Sequence, residues 1–109
     1  MRRNKNQIKA AKIADAVLWA VNSGRKVVPM GFKSDGSCCC PLGAVRLSPS
    51  TKGLMLKMAY PSGNSADMTE SETEHFIRAF DNGIETISFW SHLGILYRRW
   101  SQRKYGWTE

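Results

Sequence analysis

The tetrapeptide Thr69-Glu70-Ser71-Glu72 commits the later half of this chain to a helix that starts there. A threonine at the cap accepts a hydrogen bond from the backbone N–H three residues on, and a glutamate at that position reaches back to the cap's own N–H. Glu70, Glu72 and Glu74 also lie at the positive end of the helix dipole, where carboxylates are stabilised. Phe76, Ile77 and Phe80 form the stripe such a helix buries, and Gly83 offers the left-handed residue that ends it. A further helix is predicted from Phe89 to Lys104, closed by Gly106. Its apolar face is read as Phe89, Leu93, Leu96, Tyr97 and Trp100, with Arg98, Arg99, Gln102 and Arg103 pointing elsewhere. Asp81 sits badly for the dipole at the end of the acidic helix, so it is expected to cap a neighbouring loop, such as the turn before Cys39.

The first half is punctuated more weakly. Met1 to Gln7 reads as a basic flexible arm, and residues 8–109 as a single globular domain. Ile8 to Ser23 reads as a helix with Ala10, Ile13, Ala14, Val17, Ala20 and Val21 on one face. Lys5, Lys9, Lys12, Asn22 and Ser23 fall on the other, Trp19 lies near the boundary, and Gly24 ends the run. Val27, Val28, Met30 and Phe32 suggest an extended segment, which Pro29 places at an edge. Ser34-Asp35-Gly36-Ser37 is a hairpin-type turn signal, and Cys38 to Cys40 would be the returning strand. Pro41 suits the first position of a short helix through Leu42, Ala44, Val45 and Leu47, in which Gly43 serves close packing. Ser48 to Ser65, with Pro49, Gly53, Pro61 and Gly63, reads as connection in which Leu54, Leu56 and Met58 alternate. The expected fold is a small single α+β domain of about three main helices with a short β-hairpin.

No apolar run approaches the ~18 residues of a membrane span. The basic N-terminus is not followed by the apolar stretch and cleavage site of a secretory signal, so a cytoplasmic location is expected. Charge is distributed unevenly. Up to Lys57 there are eleven basic and two acidic residues, from Met58 to Glu85 one and six, and beyond Thr86 four and one. Basic ends flanking an acidic middle attract phosphate backbones through counterion release, although the same charges also serve solubility or neutralise one another.

Three consecutive cysteines, Cys38 to Cys40, invite a chemical reading. A zinc site would need Cys38 and Cys40 joined to His75 and His92, without the paired spacing that marks such sites, so no metal or other cofactor is expected. Cys40 before Pro41 would stand at a helix N-terminus, which lowers a thiol pKa, but no nucleophile signature flanks it. Buried thiols acting as small hydrophobes are the preferred reading. Glu72 with Glu74, or Asp81 with Glu85, are carboxylate pairs of the kind that exposed helices solvate. With no phosphate loop, dinucleotide fingerprint or HExxH run, an enzyme is not expected.

Binding is the remaining class. Arg2, Arg3, Lys5, Lys9 and Lys12 at one end, and Arg98, Arg99, Arg103, Lys104 and Trp107 at the other, are the candidate nucleic-acid contacts. Aromatic residues among basic ones stack bases while the cations hold phosphates, the alternative being a tail that folds back on its helix. The candidate protein contacts are Trp19, Glu70, Glu72 and Glu74.

The segments Asp35-Gly36, Cys39 to Ala44, Tyr60-Pro61, Phe76 to Asp81 and Leu93 to Arg99 resemble, in order, short motifs of small uncharacterised bacterial and phage proteins. Ala79 departs from that pattern, which has glycine before Phe-Asp. The resemblance implies a phage- or mobile-element-associated accessory protein and assigns no catalytic residue. The combined expectation is a non-enzymatic basic module that contacts nucleic acid or a nucleoprotein complex. The alternative is a protein-protein inhibitor or adaptor, for instance a phage factor that blocks a host defence complex. Neither reading includes a membrane or a small-molecule substrate.

Overall fold

In a computed structural model, which describes residues 4–29, 38–48 and 68–108 (the side chain of Arg46 excepted), helix α1 runs Lys5–Asn22 from an Asn4 cap. Asn4 accepts from the Gln7 N–H at 2.8 Å and Gln7 returns a bond to the Asn4 N–H at 2.9 Å. This is the same reciprocal cap as Thr69/Glu72, written with other side chains. It places Lys5 to Gln7 in the first turn of a helix rather than in an arm. Strand β1 (Lys26–Val27) follows, then β2 (Cys38–Cys39) and helix α2 (Pro41–Leu47). Helices α3 (Glu70–Asn82) and α4 (Phe89–Tyr105) complete the described residues. The fold is a small α+β one.

The two strands pair in parallel, Lys26 opposite Cys38 and Val27 opposite Cys39, which corrects the expected hairpin. The Asp35-Gly36 turn signal lies outside the described residues, as do Met30, Phe32 and the 49–67 connection. A turn motif reports a local reversal and not which strands pair. Ten residues separate Val27 from Cys38, far more than a two-residue hairpin loop, so this spacing does not impose antiparallel pairing.

The outer edge of β1 is closed by α4. Tyr105 Oη accepts from the Val27 N–H at 3.1 Å, and Ser101 Oγ donates to the Val27 carbonyl at 2.6 Å. A strand edge left bare in the interior would carry unsatisfied polar groups, so two hydroxyls of one helix stand in for a third strand.

The core gathers Ile13, Val17 and Ala20 of α1, Val27, Leu42 and Val45 around α2, and Phe76, Phe80 and Trp90 of the α3–α4 pair. The α3–α4 crossing is close. A Cβ placed on Gly94 would stand 2.6 Å from the Phe76 carbonyl oxygen and 2.8 Å from the Ala79 Cβ. The backbone approach is therefore made by the glycine of α4, with Ala79 as the small residue facing it.

Two apolar faces are rotated from their expected positions. In α1 the buried stripe is Ile13, Ala16, Val17 and Ala20, while Ala14 and Leu18 are exposed. Lys9, expected on the solvent side, continues the spacing Ile13, Ala16, Ala20 and is half-buried. In α4 the buried set is Trp90, Ser91, Gly94, Ile95, Arg98 and Ser101, while Phe89 and Leu96 face outward. Close packing against α3 selects the small-residue side of α4, and the larger apolar stripe turns toward α1.

Candidate functional site

Helices α1 and α4 line opposite walls of one depression, and their like ends share partners. Near their N-terminal ends both reach Glu72 of α3. Lys9 Nζ donates to Glu72 Oε1 at 2.9 Å, and Trp90 Nε1 donates to Oε2 at 2.9 Å. The Thr69 N–H also donates to Oε1, at 2.8 Å. Burial alone raises the Glu72 pKa, but these three bonds outweigh it and hold the carboxyl below its ordinary value. Toward the C-terminal ends, Val27 just beyond α1 is held by Ser101 and Tyr105 of α4.

Between the two helices lies an apolar groove of about 480 Å³. Ala14, Val17, Leu18 and Val21 form one wall, and Leu93, Leu96, Tyr97, Trp100 and Lys104 the other. Leu18 is 60% exposed and Leu96 47% exposed, so the rims of the groove present bare leucines. Below, Phe76, Tyr97, Trp100 and Tyr105 form a chain of tilted and edge-on rings with centroids 5.9–6.2 Å apart, which stiffens the α4 wall. Tyr97 is pushed up to about 12, by burial first and then by the Asp15 carboxylate, and stays a neutral phenol. Arg99 and Arg103 are exposed on the flank of α4 next to Leu96, and Lys104 lines the groove while resting 5.8 Å from the Tyr105 ring. Phe89 and Ile87 at the start of α4 are exposed as well, beside a separate depression that Glu85 and His92 help to line. Composition and periodicity pointed to the groove only indirectly. Leu18 and Leu96 each belonged to a helix, and the space between the helices is a property of the packing.

The described nucleic-acid candidates sit in different environments. Arg2 and Arg3 lie outside the described residues. Lys9 is tied to Glu72, and Lys12 is half-buried. Arg98 is only 8% exposed and donates from Nη1 to the Phe80 carbonyl at 2.7 Å, which satisfies one of the last carbonyls of α3. Its guanidinium also lies 5.0 Å from the Trp107 ring, and Trp107 Nε1 donates to Ser101 Oγ at 2.9 Å, so the tail folds back on α4. Lys5, Arg99, Arg103 and Lys104 remain exposed.

Among the protein-contact candidates, Glu72 is turned inward as described, whereas Glu70 and Glu74 are exposed, Glu74 lying 3.5 Å from Arg78. Trp19 is half-buried under Arg25, whose guanidinium sits 5.0 Å from its ring.

Two thiols, Cys39 and Cys40, are held protonated. Burial pushes Cys39 up to about 11, with Cys40 adding to the effect and Arg25 opposing it. Burial also raises Cys40, against the Gly43 N–H that its sulfur accepts at 3.2 Å; the Asp81 carboxylate adds to the rise. Desolvation thus outweighs the helix N-terminus at this cap. Asp81 stands near the α2 cap, while the turn it was expected to hold lies outside the described residues. His75 Nδ1 lies 3.2 Å from Thr86 Oγ1, and His92 Nδ1 lies 3.3 Å from Glu85 Oε2. Among the described residues no three His, Cys, Asp or Glu side chains form a group with metal-binding geometry, and no helix is long and apolar enough to cross a membrane. No protein-family model, curated protein or solved structure matches this chain.

Proposed function

We propose that this protein is a non-enzymatic binding module that works as a protein-protein adaptor or inhibitor, and that the face between α1 and α4 is what it presents. One observation carries the reading: a groove lined by apolar side chains is left open, with Leu18 and Leu96 exposed at its rims. Apolar surface concentrated in a groove, rather than scattered, is characteristic of interaction sites.

The test is a cross-linked affinity purification from the organism's own cells, with the wild type and a Leu18→Asp/Leu96→Asp double variant. A partner held in fixed stoichiometry by the wild type and lost by the variant is the expected outcome. Retention of the same partners by the variant overturns the reading.

The second reading is a phosphate-backbone contact. It is favoured by the exposure of Arg99, Arg103 and Lys104 together on α4. Titration into labelled DNA and RNA at several salt concentrations decides it. A log-log slope of about four released counterions, removed by Arg99→Glu/Arg103→Glu, would favour this second reading over protein docking.

A further inference from the structure

The groove has the form of an incomplete helix packing. Its α4 wall presents Leu93, Leu96 and Trp100, and its α1 wall presents Ala14, Leu18 and Val21, both at spacings of three and four residues. Residues so spaced form one stripe along a helix. Two stripes on neighbouring helices leave between them the seat that a third helix fills by ridges-into-grooves packing. From Ala14 to Val21 the α1 wall is about 10 Å long, two turns of helix, and the α4 wall, from Leu93 to Lys104, about 16 Å. An extended peptide would leave its backbone N–H and C=O groups against this apolar lining, where no strand edge is offered to pair them. A helix satisfies those groups internally and brings only side chains.

The charges select among helices. Arg99 and Arg103 flank Leu96 on the outer side, Lys104 lines the groove, and Asp15 is the acidic residue placed near Tyr97. A helix with glutamate or aspartate on the flank facing α4 meets three cations, whereas a basic helix is repelled there. Among the described residues, a second copy of this chain offers no such element. Its acidic helix, α3, has Phe76 and Phe80 committed to the core.

Resting on the docking reading above, we infer that the α1/α4 groove receives an acidic amphipathic α-helix of a partner protein. Its apolar residues at i, i+4 and i+7 seat between Leu18 and Leu96, and its carboxylates lie toward Arg99, Arg103 and Lys104.

The experiment uses the full chain and three labelled peptides of about 16 residues, long enough to span the groove. One carries leucines at that spacing with glutamates on both flanks, the second replaces the glutamates with lysines, and the third interrupts the acidic sequence with a central proline. Fluorescence anisotropy is expected to show the acidic helix binding at least about tenfold more tightly than either counterpart at low salt. Leu96→Asp should abolish that binding. Arg99→Glu/Arg103→Glu should remove the preference for the acidic peptide and retain the leucine-dependent part. Thermal melts of each variant, unchanged from wild type, separate loss of binding from loss of fold.

Equal binding of the acidic and lysine peptides overturns the inference, as does binding by none of them. Sedimentation of the wild type as a dimer that Leu96→Asp dissolves also overturns it, because a second copy then covers the groove. If the peptides fail while the Leu18→Asp/Leu96→Asp variant still loses its cellular partner, the docking face stands and only the acidic helix is withdrawn. If that variant loses nothing, both fall.

Discussion

Helices α3 and α4 pack against each other, yet they divide their residues between core and surface by opposite rules. α3 places Phe76 and Phe80 inside and sends Glu70, Glu74 and Arg78 out, as an amphipathic helix is expected to. α4 buries Ser91, Gly94, Arg98 and Ser101 alongside Trp90 and Ile95, while Phe89 and Leu96 face outward. The difference lies in what each face must accomplish. The inward side of α3 fills volume. The inward side of α4 must approach the α3 backbone closely, satisfy a carbonyl of α3 through Arg98, and close the edge of β1 through Ser101. A helix serving those ends cannot also bury all of its large side chains, and the surplus forms the open groove.

The largest effect that tests this contrast comes from the same truncation on each helix. Phe80→Ala removes a fully buried ring and should lower stability by about 3–5 kcal/mol, by lost transfer energy and the cavity left behind. Phe89→Ala removes a ring that is 43% exposed and whose recorded partner is Trp90, edge-on at 4.9 Å; about 1 kcal/mol or less is expected. Urea unfolding of the two variants measures the gap. Equal losses would mean that the outward stripe of α4 belongs to the core after all.

A smaller effect tests the close approach. Gly94→Val places methyl groups where one Cβ would already stand 2.6 Å from a backbone oxygen, and a backbone oxygen cannot rotate away as a flexible side chain can. Overpacking of this kind costs about 3 kcal/mol, against roughly half a kcal/mol regained in helix propensity. A net loss of about 2 kcal/mol in the same unfolding assay is expected. A variant as stable as the wild type would show that the α3–α4 crossing opens at no cost.

The parts legible in the sequence are those specified within a single helix. The Thr69/Glu72 cap, the left-handed Gly83 and Gly106, the proline that opens α2 and the Phe76/Phe80 stripe all depend on residues a few positions apart, and the structure has each where the pattern puts it. What was illegible depends on pairs far apart in the chain. Lys9 looks solvated until Glu72, 63 residues later, provides its partner. Arg98 looks like a surface cation until the Phe80 carbonyl accepts its hydrogen bond. The parallel sense of β1 and β2 is likewise invisible to a turn signal. The candidate site suffers most. Hydropathy assigns Leu18 and Leu96 to helices, but whether they meet the core or open water is decided by the rotation of each helix. That rotation follows from small residues, Gly94 and Ala79, which carry almost no hydropathy signal.

The smallest predicted effect concerns the polar junction where α1, α3 and α4 meet, and its sign is fixed by the Glu72 pKa. Because the folded protein holds that carboxyl below its ordinary value, its ionised form stabilises the fold. The contribution is complete above the ordinary carboxylate pKa and is lost as pH falls through the lower, folded value. Glu72→Gln is similar in size and retains an acceptor for one of the three donors, but it removes the charge that Lys9 and Trp90 address. The pair is partly exposed, with side chains 18% and 21% accessible, so the loss at neutral pH should be about 1 kcal/mol, well short of the penalty for a fully buried pair. The difference between wild type and variant should therefore narrow as the solution is acidified, as measured by urea midpoints at neutral pH and near pH 3. A difference that stays constant would assign the whole effect to shape and hydrogen bonding. A difference that vanishes in acid identifies the charge of Glu72 as the tie that holds α1 beside α4, and with it the width of the groove between them.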